Sequence, residues 1–424
     1  MLTIIDLRKK NSRIPQISIE QQNSAVEKAV AEILSRVKNE GDAALRFYAK
    51  KFDSAVLQAI KLTPKELRQP VNSADKKFIS VLKQAAANIQ RFHQAQKRKP
   101  FTVKVKYGSE LRQRYRPIEK VGVYVPGGKA AYPSTVLMNV IPAQVAGVKE
   151  IHLVSPPDKN GNIHPDVLAA ASLLGITNVY RIGGAQAVAA LAYGTKSVPA
   201  VDKIVGPGNI FVATAKRMVF GTVGIDNFAG PSEVVILADD SANPEFVASD
   251  LLAQAEHDER AVPMLITASS TLAQNVNREI FRLLETQQRK KILTVSLKTM
   301  GKIFLVKSLQ HGISLTNKLA PEHLEIITSK NEKVLEKIHH AGSIFLGNYS
   351  PVAVGDYFAG PNHVLPTERT ARFSSPLSVD DFIKKSSVVS YSERLMKEVA
   401  DDVALFANRE GLSAHALSLR LRKK

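Results

Sequence analysis

Apolar residues change their spacing twice along this chain of 424 residues. Through the first hundred they recur at three and four positions among charges, over 21–47 and 76–96, which predicts amphipathic helices. From 121 the texture becomes short β-branched runs, with strands expected at 121–125, 151–154, 179–182 and Lys203–Val205. Each run leads into a helical stretch, at 134–146, 165–174, 185–191 and 209–219. A second series adds strands at 234–237, 264–267 and 303–306 and helices at 244–256 and 271–285. Strand, glycine-bearing turn and helix in alternation predict βαβ units and a parallel sheet. The expected fold is therefore α/β: two Rossmann-like parallel-sheet domains with small helical N- and C-terminal segments. The partition expected is 1–20 as an N-terminal segment and 21–122 plus 235–377 as a discontinuous first domain. Residues 123–234 are expected as an inserted second domain, and 378–424 as a charged, helical C-terminal segment.

Composition narrows the chemistry more than the fold. The chain contains no cysteine, which removes disulfides, iron–sulfur ligation, thiolate zinc sites and every cysteine nucleophile together. A metal would have to be held by His, Asp, Glu or Gln. The 58 Lys and Arg against 39 Asp and Glu leave a net charge of +19, which raises nucleic-acid binding as an alternative. The basic clusters, 91–106, Arg289-Lys290-Lys291 and Arg420 to Lys424, are scattered, and no nucleic-acid motif accompanies them. Solvated surface charge is favoured, with neither nucleic acid nor membrane expected as partner. The opening Met1-Leu2-Thr3-Ile4-Ile5-Asp6 lacks the apolar stretch of a signal peptide, and a cytoplasmic location is the default.

Four glycine-bearing turns are expected after strands: Pro126-Gly127-Gly128, Gly183-Gly184-Ala185-Gln186, Gly206-Pro207-Gly208-Asn209 and Gly230-Pro231-Ser232. In a parallel sheet such turns gather at the carboxyl edge, where ligands bind backbone N–H groups at helix starts. One such turn alone reads as a tight connection. Four, with Tyr124, Gln186, Asn209 and Ser232 among them, favour a binding site. The spacing GxGxxG is absent, so the turns alone do not name a dinucleotide. Gln254 and His257 lie three apart on a helix, a pair more often satisfied by ordinary polar contacts than by a metal. Pro321-Glu322-His323 sets a carboxylate beside an imidazole just after a proline turn, a pairing capable of acid–base work. Gly355-Asp356 and Asn362-His363 fall in a Gly- and Pro-rich loop, and Glu410 and His415 lie near the end.

Taken together these motifs resemble the histidinol dehydrogenase family. The resemblance runs from about Val121 to His415 and rests on Gly122-Val-Tyr-Val-Pro-Gly-Gly128, Gly183-Gly-Ala-Gln186 and Val201-Asp-Lys-Ile-Val-Gly-Pro-Gly-Asn209. Ala229-Gly-Pro-Ser-Glu233, Ser249-Asp-Leu-Leu-Ala-Gln-Ala-Glu-His257, Pro321-Glu-His323, Gly355-Asp356 and Asn362-His-Val-Leu-Pro366 complete it. It implies a four-electron oxidation of L-histidinol through the aldehyde to L-histidine, with NAD as acceptor, at the end of histidine biosynthesis. By the same resemblance Gln254, His257, Asp356 and His415 would bind one zinc per subunit and hold the substrate through it. Ser232, His323, His363 and Glu410 would contact the substrate, and Tyr124, Gln186 and Asn209 the NAD. His323 would be the base in both oxidations and Glu322 would activate water for the second. The family is a homodimer, so Glu410 and His415 would reach the neighbouring subunit's site. A dehydrogenase of the same family acting on another amino alcohol is the remaining alternative.

Overall fold

The computed structural model describes residues 2–9, 24–73, 75–127, 131–227 and 230–423. Gly128, Ala229 and the first residues of the helix expected from 21 fall outside them. The two parallel sheets expected from the sequence are present. The larger has six strands in the order Thr3–Asp6, Lys302–Leu305, Val262–Thr267, Glu233–Ala238, His323–Ile327 and Ser343–Leu346. The smaller has five, in the order Asn178–Arg181, Glu150–Ser155, Lys120–Tyr124, Lys203–Val205 and Gly224–Ile225. Their central strands are buried on both faces, which is why they read as unbroken apolar runs. Helix starts follow local chemistry. Asn209 caps Ile210–Val219 by accepting from the N–H groups of Phe211 and Val212, and Asn243 caps Pro244–Ala255 ahead of its N-terminal proline.

Four differences from the sequence reading have clear causes. The helix expected over 21–47 is two, Ser24–Glu40 and Asp42–Asp53, because Gly41 turns the chain with φ 57°. Ser24–Glu40 packs on the helices Gly184–Tyr193 and Ile210–Val219 over the smaller sheet and Asp42–Asp53 on the first of these, although the sequence grouped them with the larger. The apolar face of Val30, Ile33, Leu34 and Val37 merges there with Val188, Leu191 and Val212. The N-terminal segment contributes an edge strand to the larger sheet, Thr3 pairing with Lys302. The C-terminal segment is not helical throughout. Ile383–Ser390 pairs antiparallel with Glu110–Pro117, which also pairs with Phe101–Lys104, making a third, three-stranded sheet.

Beyond that strand the chain ends in a helical hairpin, Glu393–Arg409 and Ser413–Lys423. The hairpin buries Ala404, Ala407 and Ala416 internally but leaves Leu405, Phe406, Leu417 and Leu421 exposed, Phe406 by 68%. Among the described residues no helix is long and apolar enough to cross a membrane.

Gly206 ends the strand Lys203–Val205 with φ 109°, and a Cβ there would lie 2.2 Å from the carbonyl oxygen of Tyr124. Neither the backbone angle nor the close approach admits a side chain. Gly206→Ala is expected to lower the unfolding free energy by about 3 kcal/mol or more, measured by denaturant titration, with cofactor binding weakened in whatever remains folded.

Candidate active site

A cleft of about 450 Å3 lies where the two parallel sheets present opposite ends of their strands. The smaller sheet contributes the turns beyond Lys120–Tyr124 and Lys203–Val205, at Gly127 and Gly206 to Asn209. The larger sheet contributes the amino ends of Glu233–Ala238 and His323–Ile327, through Ser232, Glu322 and His323. This corrects the expectation for Gly230-Pro231-Ser232. That turn precedes its strand, so Ser232 sits at an amino edge opposite the carboxyl edge of the other sheet.

Pro321-Glu322-His323 is likewise the start of a strand. Its register sets His323 beside Val234, so His323, Glu325 and Ile327 share the face that carries Val234 and Ile236. That face lies under the helix Pro244–Ala255, which ends beside the cleft with Gln254 and then His257. Glu322 is buried and its Oε2 accepts from the Ser232 hydroxyl at 2.7 Å and the Glu233 N–H at 2.8 Å. Nδ1 of His323 lies 3.1 Å from the carbonyl oxygen of Glu233, which accepts its proton. Nδ1 also lies 3.4 Å from Glu322 Oε2. The proton on Nδ1 leaves Nε2 as the basic nitrogen. Among the described residues Nε2 has no hydrogen-bond partner, and it stands 3.6 Å from Asp356 Oδ1. Asp356 comes from the loop after Ser343–Leu346, and its carbonyl oxygen lies 3.0 Å from Nδ1 of His363.

The electrostatics centre on that imidazole. Burial opposes charge on His323, but the Glu322 and Asp356 carboxylates outweigh it and raise its pKa well above the ordinary 6.5. Burial would raise Asp356 too, yet His323 holds its carboxyl below the usual range. Burial lowers His363 and keeps it neutral. Glu233, beneath Glu322, is pushed up to about 8 by burial and by that neighbouring carboxylate.

Tyr124, Gln186 and Asn209 gather at a second, narrower hollow of about 340 Å3 beside the cleft. Gly127 and Asn209 line both, so the two hollows meet there. The Gly184 N–H donates to the Tyr124 hydroxyl at 3.0 Å, and burial pushes that phenol up to about 12. Glu410 and His415 are not brought to the cleft. Both are exposed on the C-terminal hairpin.

As for a metal, no three His, Asp or Glu side chains form a group that would hold one among the described residues. What the chain offers is a partial set. His257 and Asp356 share the cleft wall. Gln254 is buried on the last turn of the helix Pro244–Ala255, with His257 two residues beyond that helix rather than on it as the sequence suggested. Among the described residues the Gln254 side-chain amide nitrogen is unpartnered. Two neutral donors and one carboxylate fit a cation of intermediate softness such as zinc, once a further ligand arrives from outside.

Three contributors escaped the sequence reading. Glu233 stood in a quoted motif without a role. Buried Glu325 and half-buried Asp250 form a carboxyl pair near His323, and burial together with the neighbouring Asp250 charge raises Glu325 well above normal. Asp250 is raised to about 6, chiefly by burial. Glu325 Oε1 accepts from the Val352 N–H at 3.0 Å, anchoring the loop that carries Asp356. The period-two spacing from His323 would have exposed Glu325 had that strand been recognised.

Glu233 makes stability depend on pH. Between its ordinary value near 4.5 and about 8, the unfolded chain gives up a proton that the folded chain keeps, so stability is lost as pH rises through that window. Glu233→Gln keeps the neutral shape at every pH. Its melting temperature should gain on that of the parent steadily from pH 5 to 8 in calorimetry, whereas parallel curves would contradict a protonated Glu233.

The family model for histidinol dehydrogenase matches residues 17–423. A histidinol dehydrogenase of Geobacillus kaustophilus is 51% identical over 405 residues, covering 96% of each chain, and that of Bacillus subtilis is 51% identical over 407 residues, 96% of this chain and 95% of the other. A crystal structure of histidinol dehydrogenase from Elizabethkingia anophelis superposes with a TM-score of 0.93 at 37% identity, covering 99% of this chain and 98% of that one. With matched motifs at both the cleft and the adjoining hollow, and a family match over residues 17–423, this chain belongs to the histidinol dehydrogenase family.

Proposed function

We propose that the cleft oxidises L-histidinol to L-histidine in the cytoplasm, in two steps that each pass a hydride to NAD. The observation that carries this reading is the His323 imidazole, with Nδ1 committed to the Glu233 carbonyl and Nε2 unpartnered in the cleft wall. In the first step the neutral form of His323, which the raised pKa makes the minority species near neutral pH, accepts the proton of the substrate's alcohol at Nε2 as the carbon's hydride departs for the nicotinamide ring. The carboxylates of Glu322 and Asp356 stabilise the imidazolium as it forms. The aldehyde then needs an oxygen. With no cysteine to form a thiohemiacetal, water must add directly, and Glu322 lies beside His323 to take its proton. His323 acts again as the hydrate loses its second hydride. The overall balance is alcohol, two NAD+ and one water giving carboxylate, two NADH and three protons.

Gln254, His257 and Asp356, with His415 from a second copy of the chain, would hold a zinc ion. When bound, zinc would grip and orient the substrate's imidazole and amine rather than generate hydroxide. Ser232 and His363 line the same cleft and would position the substrate, joined by Glu410 of the second copy. The homodimer this requires is supported by the exposed apolar residues of the C-terminal hairpin, which also carries Glu410 and His415.

Zinc-loaded protein given L-histidinol and excess NAD should release two NADH per substrate consumed, read by absorbance, and a yield of one would contradict the second step. His323→Asn should slow both oxidations about a thousandfold, while Glu322→Gln should spare alcohol oxidation and slow that of supplied aldehyde. His415→Ala should be inactive although His415 stands outside the cleft of its own chain. Mixing it with His323→Asn should recover activity through hybrid dimers, and no recovery after subunit exchange would count against a shared site.

A further inference from the structure

The narrower hollow contains a carboxylate that no described residue pairs with. Asp53 is the last residue of the helix Asp42–Asp53 and lines the hollow together with Tyr124, Gln186 and Asn209. Among the described residues its carboxylate makes no hydrogen bond or ion pair, and Oδ2 is buried without a partner. Arg46 and Lys51, two of the cations near it in sequence, have other contacts. Arg46 donates to the carbonyl oxygens of Leu57 and Gln58, and Lys51 lies over the rings of Phe47 and Phe52.

This placement is unfavourable in three ways. The carboxylate stands at a helix C-terminus, where the backbone dipole repels negative charge. It is partly desolvated, and burial alone pushes its pKa up to about 6. It also presses on the Tyr124 hydroxyl, itself raised by burial. A residue that costs the fold this much and gains no internal partner is a candidate for contact with a ligand.

The surroundings state which ligand. A carboxylate only accepts hydrogen bonds, so the ligand must bring donors. Phe52, Phe211, Pro156 and Pro157 give the hollow flat apolar walls, with both aromatic rings partly exposed at its mouth. The hollow joins the cleft holding His323 at Gly127 and Asn209, where the helix Ile210–Val219 begins. A dinucleotide reacting at His323 would thus cross the junction with its phosphates near a helix N-terminus and leave its adenosine half in the hollow. Ring and vicinal diol are then what the walls and the carboxylate accept.

We propose that Asp53 accepts the hydroxyl protons of the adenosine ribose and, by its charge, rejects a 2′-phosphate, selecting NAD over NADP. In a chain of net charge +19 the wider field would otherwise favour the more anionic cofactor. The inference rests on reading the cleft as the site of an NAD-dependent dehydrogenase.

The test combines direct binding with turnover on the zinc-loaded enzyme. Calorimetry should show Asp53→Ala binding NAD roughly 10- to 100-fold more weakly than the parent, with no fall in melting temperature. The NAD analogue lacking the adenosine 2′-hydroxyl should bind the parent more weakly than NAD does but bind Asp53→Ala about equally, a coupling that a structural role would not produce. In turnover the loss should appear in KM for NAD rather than kcat, and Asp53→Asn should raise the ratio of NADP to NAD use at least tenfold. NAD affinity in Asp53→Ala within twofold of the parent, or an unchanged NADP to NAD ratio in Asp53→Asn, would overturn the assignment. A parent protein that binds NAD yet yields no NADH from L-histidinol would overturn the reading of the reaction, and Asp53 would then be judged by the binding arm.

Discussion

The chemistry of the cleft hangs on one register: His323–Ile327 lies beside Glu233–Ala238 with His323 opposite Val234. Because side chains alternate along a strand, a slip of one residue would turn His323 and Glu325 to the other face of the sheet. The apolar residues of both strands hold the register. Leu324 and Ile326 pack with Val235 and Leu237 on one face, while Ile327 packs with Val234 and Ile236 on the other. The same register brings Glu322 within reach of the Ser232 hydroxyl and the Glu233 N–H, and the Glu233 carbonyl within reach of His323. Backbone groups thus orient both catalytic candidates, and they move only if the sheet does.

Around that fixed imidazole the protein gathers more buried acid than it neutralises with cations. Glu233, Glu325 and Asp250 are kept toward their protonated forms, whereas Asp356 stays ionised against His323. The division has a local cause: burial raises the first three, and the His323 imidazole beside Asp356 holds its carboxyl down. Removing any member would shift the balance among the rest, so single substitutions here should not act additively.

Much of this was legible in the sequence, and the limits have physical causes. The helices and strands expected between 121 and 306 emerge within a residue or two of expectation, because most of those strands are apolar runs closed by a glycine or a capping residue, whereas the helix Lys290–Thr299 and the two-residue strand Gly224–Ile225 were not anticipated. The strand His323–Ile327 was missed since its polar positions, His323 and Glu325, point inward, inverting the usual rule that polar means exposed. The three-stranded sheet escaped for the opposite reason. Phe101–Lys104, Glu110–Pro117 and Ile383–Ser390 have little buried side chain, so no alternation marks them. Motifs located the candidate site residues that share the cleft, Ser232, His257, Glu322, His323, Asp356 and His363, but not the carboxyls behind them. Asp53 carries no motif at all; only the hollow it lines sets it apart.

The antiparallel pairing of Ile383–Ser390 with Glu110–Pro117 also bears on how the chain is made. Ser390 pairs with Glu110, and the Ser392 N–H donates to the Ser109 hydroxyl across 283 positions of sequence. A ribosome must therefore finish nearly the whole polypeptide before this ladder can close, long after both partners of the smaller sheet's central pairings have emerged. Contacts of such separation close slowly. During that interval Glu110–Pro117 has only Phe101–Lys104 beside it and offers its other edge to any passing strand. Its alternating Arg112, Arg114 and Arg116 give that waiting edge a like charge that discourages a second nascent copy from pairing there first.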